Sequence, residues 1–253
     1  MSKDISYQGL ARKYRPILFE DLVGQEQVSA SLQKALKSKR VAHGHILAGP
    51  RGSGKTTSAR ILAMGLNCES GPTPSPCGHC SQCEAVINGS NMDVIEIDAA
   101  SNTGVDNMRE LLERVINVPF AARRKVYIID EVHMLSIASF NALLKTLEEP
   151  PPNVVFILAT TELEKVPETV RSRCVLHAFQ RLGSDDIAGR LAQVVEKEGV
   201  SFDGDKAGEI YRLIGNSVDG GMRDALVILD QVIASVSYTH LRAHETEADL
   251  VCR

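Results

Sequence analysis

The chain has 253 residues, 43% of them hydrophobic and 24% charged, with 19 Gly and 10 Pro. Those proportions exclude a disordered, collagenous or coiled-coil protein, and the length allows one large domain or two small ones. With 28 basic against 32 acidic residues the net charge is -4, so no global basic field draws the chain to nucleic acid or to a membrane, and any DNA contact has to come from a local patch or a larger assembly.

The stretch Met1 to Leu10 carries Lys3 and Asp4 and no apolar run, which does not fit a secretory leader. No segment approaches the ~18 consecutive apolar residues of a spanning helix. In chain order, short apolar runs at His45–Ala48, Val94–Ile97, Val126–Ile129 and Val154–Leu158 are expected as strands buried on both faces of a parallel sheet. Helical stripes alternate with them: Val28, Leu32, Ala35 and Leu36; then Met108, Leu111, Leu112 and Val115; then Phe140, Leu143, Leu144 and Leu147, stopped by Pro150 to Pro152. This alternation predicts an α/β domain with a mainly parallel sheet over residues 1–179. From about Gln180 the strand signals cease. Helical faces follow at Ile187, Leu191, Val194 and Val195 (with Ser184 as N-cap), at Ala207, Ile210, Tyr211 and Ile214, and at Met222, Ala225, Leu226 and Leu229. They predict a small three-helix domain over 180–234. Residues 235–253 lose the periodicity, and His240, His244 and Cys252 fit no ligand pattern. That tail is expected to be non-native or disordered.

Directly after the first strand comes Gly49-Pro50-Arg51-Gly52-Ser53-Gly54-Lys55-Thr56, which fits G-x-x-x-x-G-K-[ST]. Its glycines let backbone N–H groups turn inward around phosphate oxygens at the positive end of the following helix. Lys55 is expected to reach the β- and γ-phosphates, with Thr56 and its neighbour Thr57 in the same turn and the Thr56 hydroxyl on Mg²⁺. At ordinary residue frequencies ~250 windows give about 0.01 accidental matches. The strand Val126–Ile129 delivers Asp130 and Glu131 to the carboxyl end of the sheet, where ligands bind in open α/β folds. Asp130 is expected to help hold Mg²⁺ and Glu131 to polarise an attacking water. Thr160 and Thr161, after the strand Val154–Leu158, are expected beside Asp130 near the γ-phosphate edge.

Cys68, Cys77, Cys80 and Cys83 offer four thiolates within one short stretch bent by Gly71, Pro72, Pro74, Pro76 and Gly78. A structural Zn²⁺ with no open position fits them, although His79 has the chemistry to replace one sulfur. Disulfides are disfavoured without an export signal, and iron–sulfur clusters use other spacings. Cys174, in an apolar run, reads as a buried hydrophobe. Arg223 sits in the first turn of the third bundle helix, against the local dipole preference, which hints at an anionic partner.

From about Tyr7 to Ala234 the chain resembles the γ/τ family of bacterial clamp-loader ATPases, a branch of the AAA+ proteins. The resemblance rests on Leu10 to Pro16, the P-loop, the four cysteines, Glu96 to Ser101, Asp130 to Leu135, Phe140 to Pro150, Ala159 to Thr161, Ser172 to Cys174 and Arg223 to Leu226. It implies an AAA+ P-loop NTPase domain carrying a zinc knuckle at residues 68–83, followed by a helical lid. It implies that Arg12 and Tyr14 line the adenine side, that Thr161 or its neighbour Thr160 is sensor 1, and that Arg223 is sensor 2. Arg173 matches an arginine finger acting in trans on the next subunit's ATP. Ala99 to Asn102 matches a DNA-backbone contact. The implied cofactors are ATP, Mg²⁺ and Zn²⁺. The implied partners are δ and δ′ subunits, further γ/τ copies, the sliding clamp and primer–template DNA in the bacterial cytoplasm. No membrane is implied. A δ′-like non-hydrolysing scaffold and a different AAA+ replication or repair ATPase are the rival readings. The family continues past the lid into a helical collar, whereas this sequence diverges near Ser235. An isolated copy is expected to bind ATP but to hydrolyse it poorly.

Overall fold

The computed structural model describes residues 7–101, 105–115, 117–200, 202 and 206–235. In chain order the elements begin with α1 (Leu10–Lys13), α2 (Glu26–Lys37), β1 (Gly44–Ala48), α3 (Lys55–Asn67) and α4 (Ser81–Asn88). Next come β2 (Val94–Asp98), α5 (Val105–Val115), β3 (Lys125–Asp130), α6 (Ile137–Glu148), β4 (Val154–Thr160), α7 (Glu168–Arg171) and β5 (Val175–Ala178). The series ends with α8 (Ser184–Glu198), α9 (Lys206–Ser217) and α10 (residues 222–235). A 3-10 turn at Val132–Met134 follows β3.

The chain divides into two compact units, one spanning Pro16–Gln180 and the other combining the segment up to Arg15 with Arg181 onward. In the first, five parallel strands lie in the order β2-β3-β4-β1-β5. Alternate side chains enter opposite cores. Val126 and Ile128 of β3, Val155, Ile157 and Ala159 of β4 and Leu47 of β1 join Leu32, Leu36, Ile61 and Leu62 on one side. Tyr127 and Ile129, Val154, Phe156 and Leu158, and Ile46 and Ala48 join Met108, Phe140, Leu143 and Leu147 on the other. Burial on both faces therefore holds for β1, β3 and β4, which have strands on either side and helices above and below. It does not hold for β2, an edge strand whose residues are half-buried or exposed.

The opposite edge carries β5, where the sequence reading placed no strand. Val175 and Leu176 are 45% and 49% exposed and only His177 is buried, so the apolar alternation that marks a strand is absent. It is a strand because its backbone pairs with β1.

In the second unit, Ile187, Leu191, Val194 and Val195 of α8 pack with Ile214 of α9 and Ala225, Leu226 and Leu229 of α10. Leu10 of α1 joins the same core. Its backbone N–H donates to the Asp230 carboxylate at 3.3 Å, and Lys13 pairs with Glu198 at 2.6 Å. These contacts are why the stretch up to Arg15 groups with the helical unit, although it precedes the sheet in sequence. Helix α8 starts at Ser184 itself, with Gly183 as the N-cap and no side-chain cap bond. Asp185 and Asp186 in its first turn complement the helix dipole instead. Of the tail singled out above (235–253), all but Ser235 lies outside the described residues. Among the described residues no helix is long and apolar enough to cross a membrane.

Candidate functional site

The phosphate-loop sequence sits at the carboxyl end of β1, between β4 and β5. Gly49 N–H donates to the Thr160 carbonyl at 3.1 Å, and Phe179 N–H donates to the Ala48 carbonyl at 2.7 Å, which fixes where the loop leaves the sheet. A Cβ on Gly49 would lie 2.5 Å from the Phe179 carbonyl oxygen, so the close approach admits only glycine. Gly54, with φ +103°, is the N-cap of α3 and turns the chain into the helix. The first N–H groups of α3 have no intrahelical acceptor and point with the positive end of the helix into the loop. Gly52, also at positive φ, lies between them.

Lys55 is buried, and its ammonium donates to the Gly49 and Pro50 carbonyls, each at 2.8 Å. Burial lowers its pKa below the ordinary lysine value, against the pull of the Glu131 and Asp130 carboxylates. The next residue reaches across to the second motif: Thr56 Oγ1 donates to Asp130 Oδ2 at 2.7 Å. Thr57 follows on α3, half-buried.

Register aligns the strand ends. Ala48 pairs with Thr160 and Asp98 with Asp130, so the last residues of β1, β2, β3 and β4 share one rim. Beyond β3 the chain turns sharply. Glu131 takes φ 47°, ψ 46°, the left-handed region that a non-glycine residue enters at a cost of about 1–3 kcal/mol. Its N–H donates to Asp130 Oδ1 at 3.0 Å, which anchors the turn. The turn separates the two carboxylates, leaving Asp130 on Thr56 and Glu131 on Thr161, whose Oγ1 donates to Glu131 Oε2 at 3.0 Å. The two adjacent threonines therefore differ. Thr161 faces Glu131, whereas Thr160 is fully buried, pairs with His133 Nδ1 at 3.0 Å and accepts the Glu162 N–H at 3.0 Å.

Other residues singled out in the sequence have contacts of their own. Arg173 follows α7, with its guanidinium on Glu148 Oε1 at 2.7 Å and on the Thr169 carbonyl at 2.6 Å. Arg12, Tyr14 and Arg223 belong to the helical unit. Arg12 and Arg223 are exposed, and Tyr14 is half-buried with its pKa pushed up to about 12 by burial and a hydrogen bond to Glu198. Ala99 to Ser101 form a turn held by Asp98, which accepts the Ala100 N–H at 2.9 Å; Asn102 lies outside the described residues. Cys174 is half-buried, and burial pushes its thiol up to about 11.

The four cysteines do converge: the Sγ atoms of Cys68, Cys77, Cys80 and Cys83 all lie within 4.8 Å of one another. Tetrahedral zinc with Zn–S near 2.3 Å needs sulfurs about 3.8 Å apart, so this set closes around such an ion with small side-chain adjustments. Backbone N–H groups already point at sulfur, Cys77 N–H toward Cys68 Sγ at 3.5 Å and Cys80 N–H toward Cys77 Sγ at 3.3 Å. Burial opposes a charged Cys68, but the N–H groups of Cys77 and Ser70 and the Ser70 hydroxyl outweigh it and hold the thiol at about 6. Burial keeps Cys83 high. Arg123 ties the knuckle to the start of β3 through the Cys68 and Glu69 carbonyls. His79 hydrogen-bonds the Cys77 carbonyl instead of joining the sulfurs.

Two features escaped the sequence reading, one at the site and one at the opposite end of the sheet. His133 and Glu162 flank Glu131, and only the position of His133 just after the acidic pair could have signalled a role. Asp93, buried before β2, takes the N–H groups of Phe120, Ala121 and Ala122 at 2.7–2.8 Å.

A family model described as DNA polymerase III, delta subunit, matches residues 24–183, and one described as DNA polymerase III clamp loader subunit, ATPase lid domain, matches residues 186–237. The chain is 51% identical over 230 residues to the DNA polymerase III subunit tau of Bacillus subtilis, covering 91% of this chain and 40% of that protein. Against the subunit tau of Escherichia coli the identity is 48%, over 91% of this chain and 35% of that protein. Against the subunit gamma/tau of Mycobacterium tuberculosis it is 47%, over 92% and 40%. The chain thus spans two-fifths or less of the length of these relatives. Among solved structures, the Thermotoga maritima RuvB Holliday junction branch migration motor superposes with a TM-score of 0.65 at 20% identity, over 89% of this chain and 67% of that one. That likeness carries the AAA+ fold alone. With the first model matched across more than half of its length and the lid model across the helical unit, the chain belongs to the DNA polymerase III clamp-loader subunits of the tau/gamma type.

Proposed function

We propose that this chain is an ATP-binding and ATP-hydrolysing motor subunit of the clamp loader, acting in the bacterial cytoplasm to load a sliding clamp onto primed DNA. The observation that carries the reading is the apposition of Thr56 and Asp130 at 2.7 Å across the P-loop, with Glu131 held by Thr161 next to them. The backbone of Gly49, Gly52 and Gly54 and the start of α3 cradle the phosphates, and Lys55 neutralises the terminal ones. Thr56 and Asp130 are the residues that would hold Mg²⁺, which when bound offsets charge on the phosphates. Glu131 orients the attacking water and takes its proton, and Thr161 keeps that carboxylate in place. Arg173 completes the site of a neighbouring subunit in trans. Arg12 and Tyr14 serve the adenine side and Arg223 serves as the lid's sensor. Cys68, Cys77, Cys80 and Cys83 hold a structural Zn²⁺. The assembly contains δ and δ′ subunits and further copies of this subunit around clamp and primer–template DNA.

The test is ATP binding and hydrolysis by the purified chain, alone and then with clamp-loader partners. Binding alone with negligible turnover, turnover with partners, and a loss of about 100-fold or more in Glu131→Gln with binding retained are the expected results. Absence of ATP binding overturns the motor reading. The match to the delta-subunit model favours one second reading, a scaffold that does not hydrolyse ATP. Binding without turnover in the complete assembly would select it.

A further inference from the structure

His133 has contacts that a purely architectural histidine in a 3-10 turn does not require. Its side chain is 7% exposed and lies between two carboxylates, Glu131 Oε2 at 3.4 Å from Nδ1 and Glu162 Oε1 at 3.2 Å from Nε2. Nδ1 also meets the Thr160 hydroxyl at 3.0 Å, and that hydroxyl accepts the Glu162 backbone N–H. A ring nitrogen that carries a proton donates to the carboxylate it faces, Nε2 to Glu162 and Nδ1 to Glu131, while Nδ1 without one accepts from Thr160. The partners come from two elements. Glu131 and His133 belong to the turn after β3, while Thr160, Thr161 and Glu162 are the end of β4 and the two residues beyond it. Glu162 is itself fixed by Lys165 at 2.8 Å, whose ammonium holds its carboxyl below the usual range.

Glu131 depends on such support. Its backbone sits in a left-handed conformation, its carboxylate is about one-third exposed, and the Thr161 hydroxyl grips one oxygen only. A long side chain with a single hydrogen bond keeps several rotamers, and a misplacement of about 1 Å in a catalytic group costs on the order of 100-fold in rate.

We propose that His133 is a positioning residue that locks Glu131 to the end of β4, so that Glu131 is held in its working rotamer only while Thr160, Thr161 and Glu162 keep their places. This rests on the ATPase reading above. It adds to that reading a mechanical link, running through one imidazole, between the β4 end beside the P-loop and the base. A shift of the β4 end on binding or release of nucleotide then moves Glu131 with it.

The test uses the chain assembled with its clamp-loader partners. His133→Ala is expected to lower kcat about 10- to 100-fold while KM and the Kd for ATP stay within about twofold. His133→Asn places its amide where Nδ1 lies and is expected to recover activity to within about threefold of the parent. His133→Gln reaches only toward Glu162 and is expected to remain near the alanine variant. This comparison holds even if His133→Ala fails to fold. Unchanged kcat in His133→Ala, an effect confined to ATP affinity, or equal activities for Asn and Gln overturns the proposal. A parent without turnover would instead count against the ATPase reading. The link is then read from the imidazole ¹⁵N resonances of the free chain. Glu131→Gln should move Nδ1 of His133 and Glu162→Gln should move Nε2, and unmoved resonances overturn the link.

Discussion

The phosphate cradle and the cysteine knuckle lie at opposite ends of one helix, and the chain builds them in opposite ways. The knuckle is local: its four sulfurs come from Cys68 to Cys83, and its N–H···S contacts span nine and three residues. The cradle is assembled from afar. Thr56 and Asp130 are 74 residues apart and Glu131 and Thr161 are 30 apart, and they meet because parallel pairing brings four strand ends to one rim. Helix α3 separates the two sites by its 13 residues, about 20 Å at 1.5 Å per residue. A local cluster can be closed by an ion and needs little from the sheet. A cluster gathered over long separations has its backbone placed before any ligand arrives, because the β-sheet has already met the loop-closure cost.

The sharpest break between the two sites comes from Arg173, which in this subunit pairs with Glu148 on the surface. If the cradle is completed only by a neighbour, Arg173→Ala leaves ATP binding by the single chain unchanged and lowers turnover of the assembled complex by about 10³-fold or more. Steady-state ATPase with and without partners checks this, and an equal loss in both would mean that the residue works within its own subunit.

Next in size, Cys83→Ser, or chelation of the parent, removes the zinc proposed for the knuckle. It is expected to cost on the order of 3 kcal/mol, roughly 10 °C in Tm, with ATP affinity changed by no more than about twofold. Metal content and calorimetry measure the first effect and nucleotide titration the second. A large loss of ATP affinity would show that the two ends of α3 are coupled.

Asp93 tests how much the sheet itself depends on a buried charge. Burial would raise its pKa, but the N–H groups of Ala121, Phe120 and Ala122 and nearby Lys125 outweigh that and hold it below 3.8. A carboxylate favoured in the folded state stabilises fully above the unfolded value, and the contribution disappears as pH falls through the lower folded value. Asp93→Asn is therefore expected to cost about 2 kcal/mol at neutral pH, with the gap to the parent closing as pH drops below about 4. Urea titrations at several pH values read the gap.

The smallest effect belongs to Glu96 on edge strand β2, which meets Arg60 of α3 in a bidentate pair at 2.7 and 3.0 Å. Both side chains are partly solvated, so Glu96→Gln is expected to cost no more than about 0.5 kcal/mol in a denaturant titration.

Much of this protein is fixed by short-range pattern. The P-loop from Gly49 to Thr56 reads directly because Gly49, Gly54, Lys55 and Thr56 have backbone or side-chain duties at a set spacing. The continuous apolar runs of β1, β3 and β4 read as doubly covered strands, and the cysteine spacing reads as a metal loop. Tertiary structure alone decided the rest. The edge position of β2 and the existence of β5 follow from which strand pairs with which, because an edge strand need not be apolar on both faces. The grouping of Leu10 with α8 to α10 depends on a core shared across more than 170 residues of sequence, outside any local periodicity. Thr160 and Thr161 are adjacent and chemically alike. Their division of labour, one on His133 and one on Glu131, arises because β4 ends at Thr160 and the chain bends at Thr161, so the second hydroxyl leaves the strand's register.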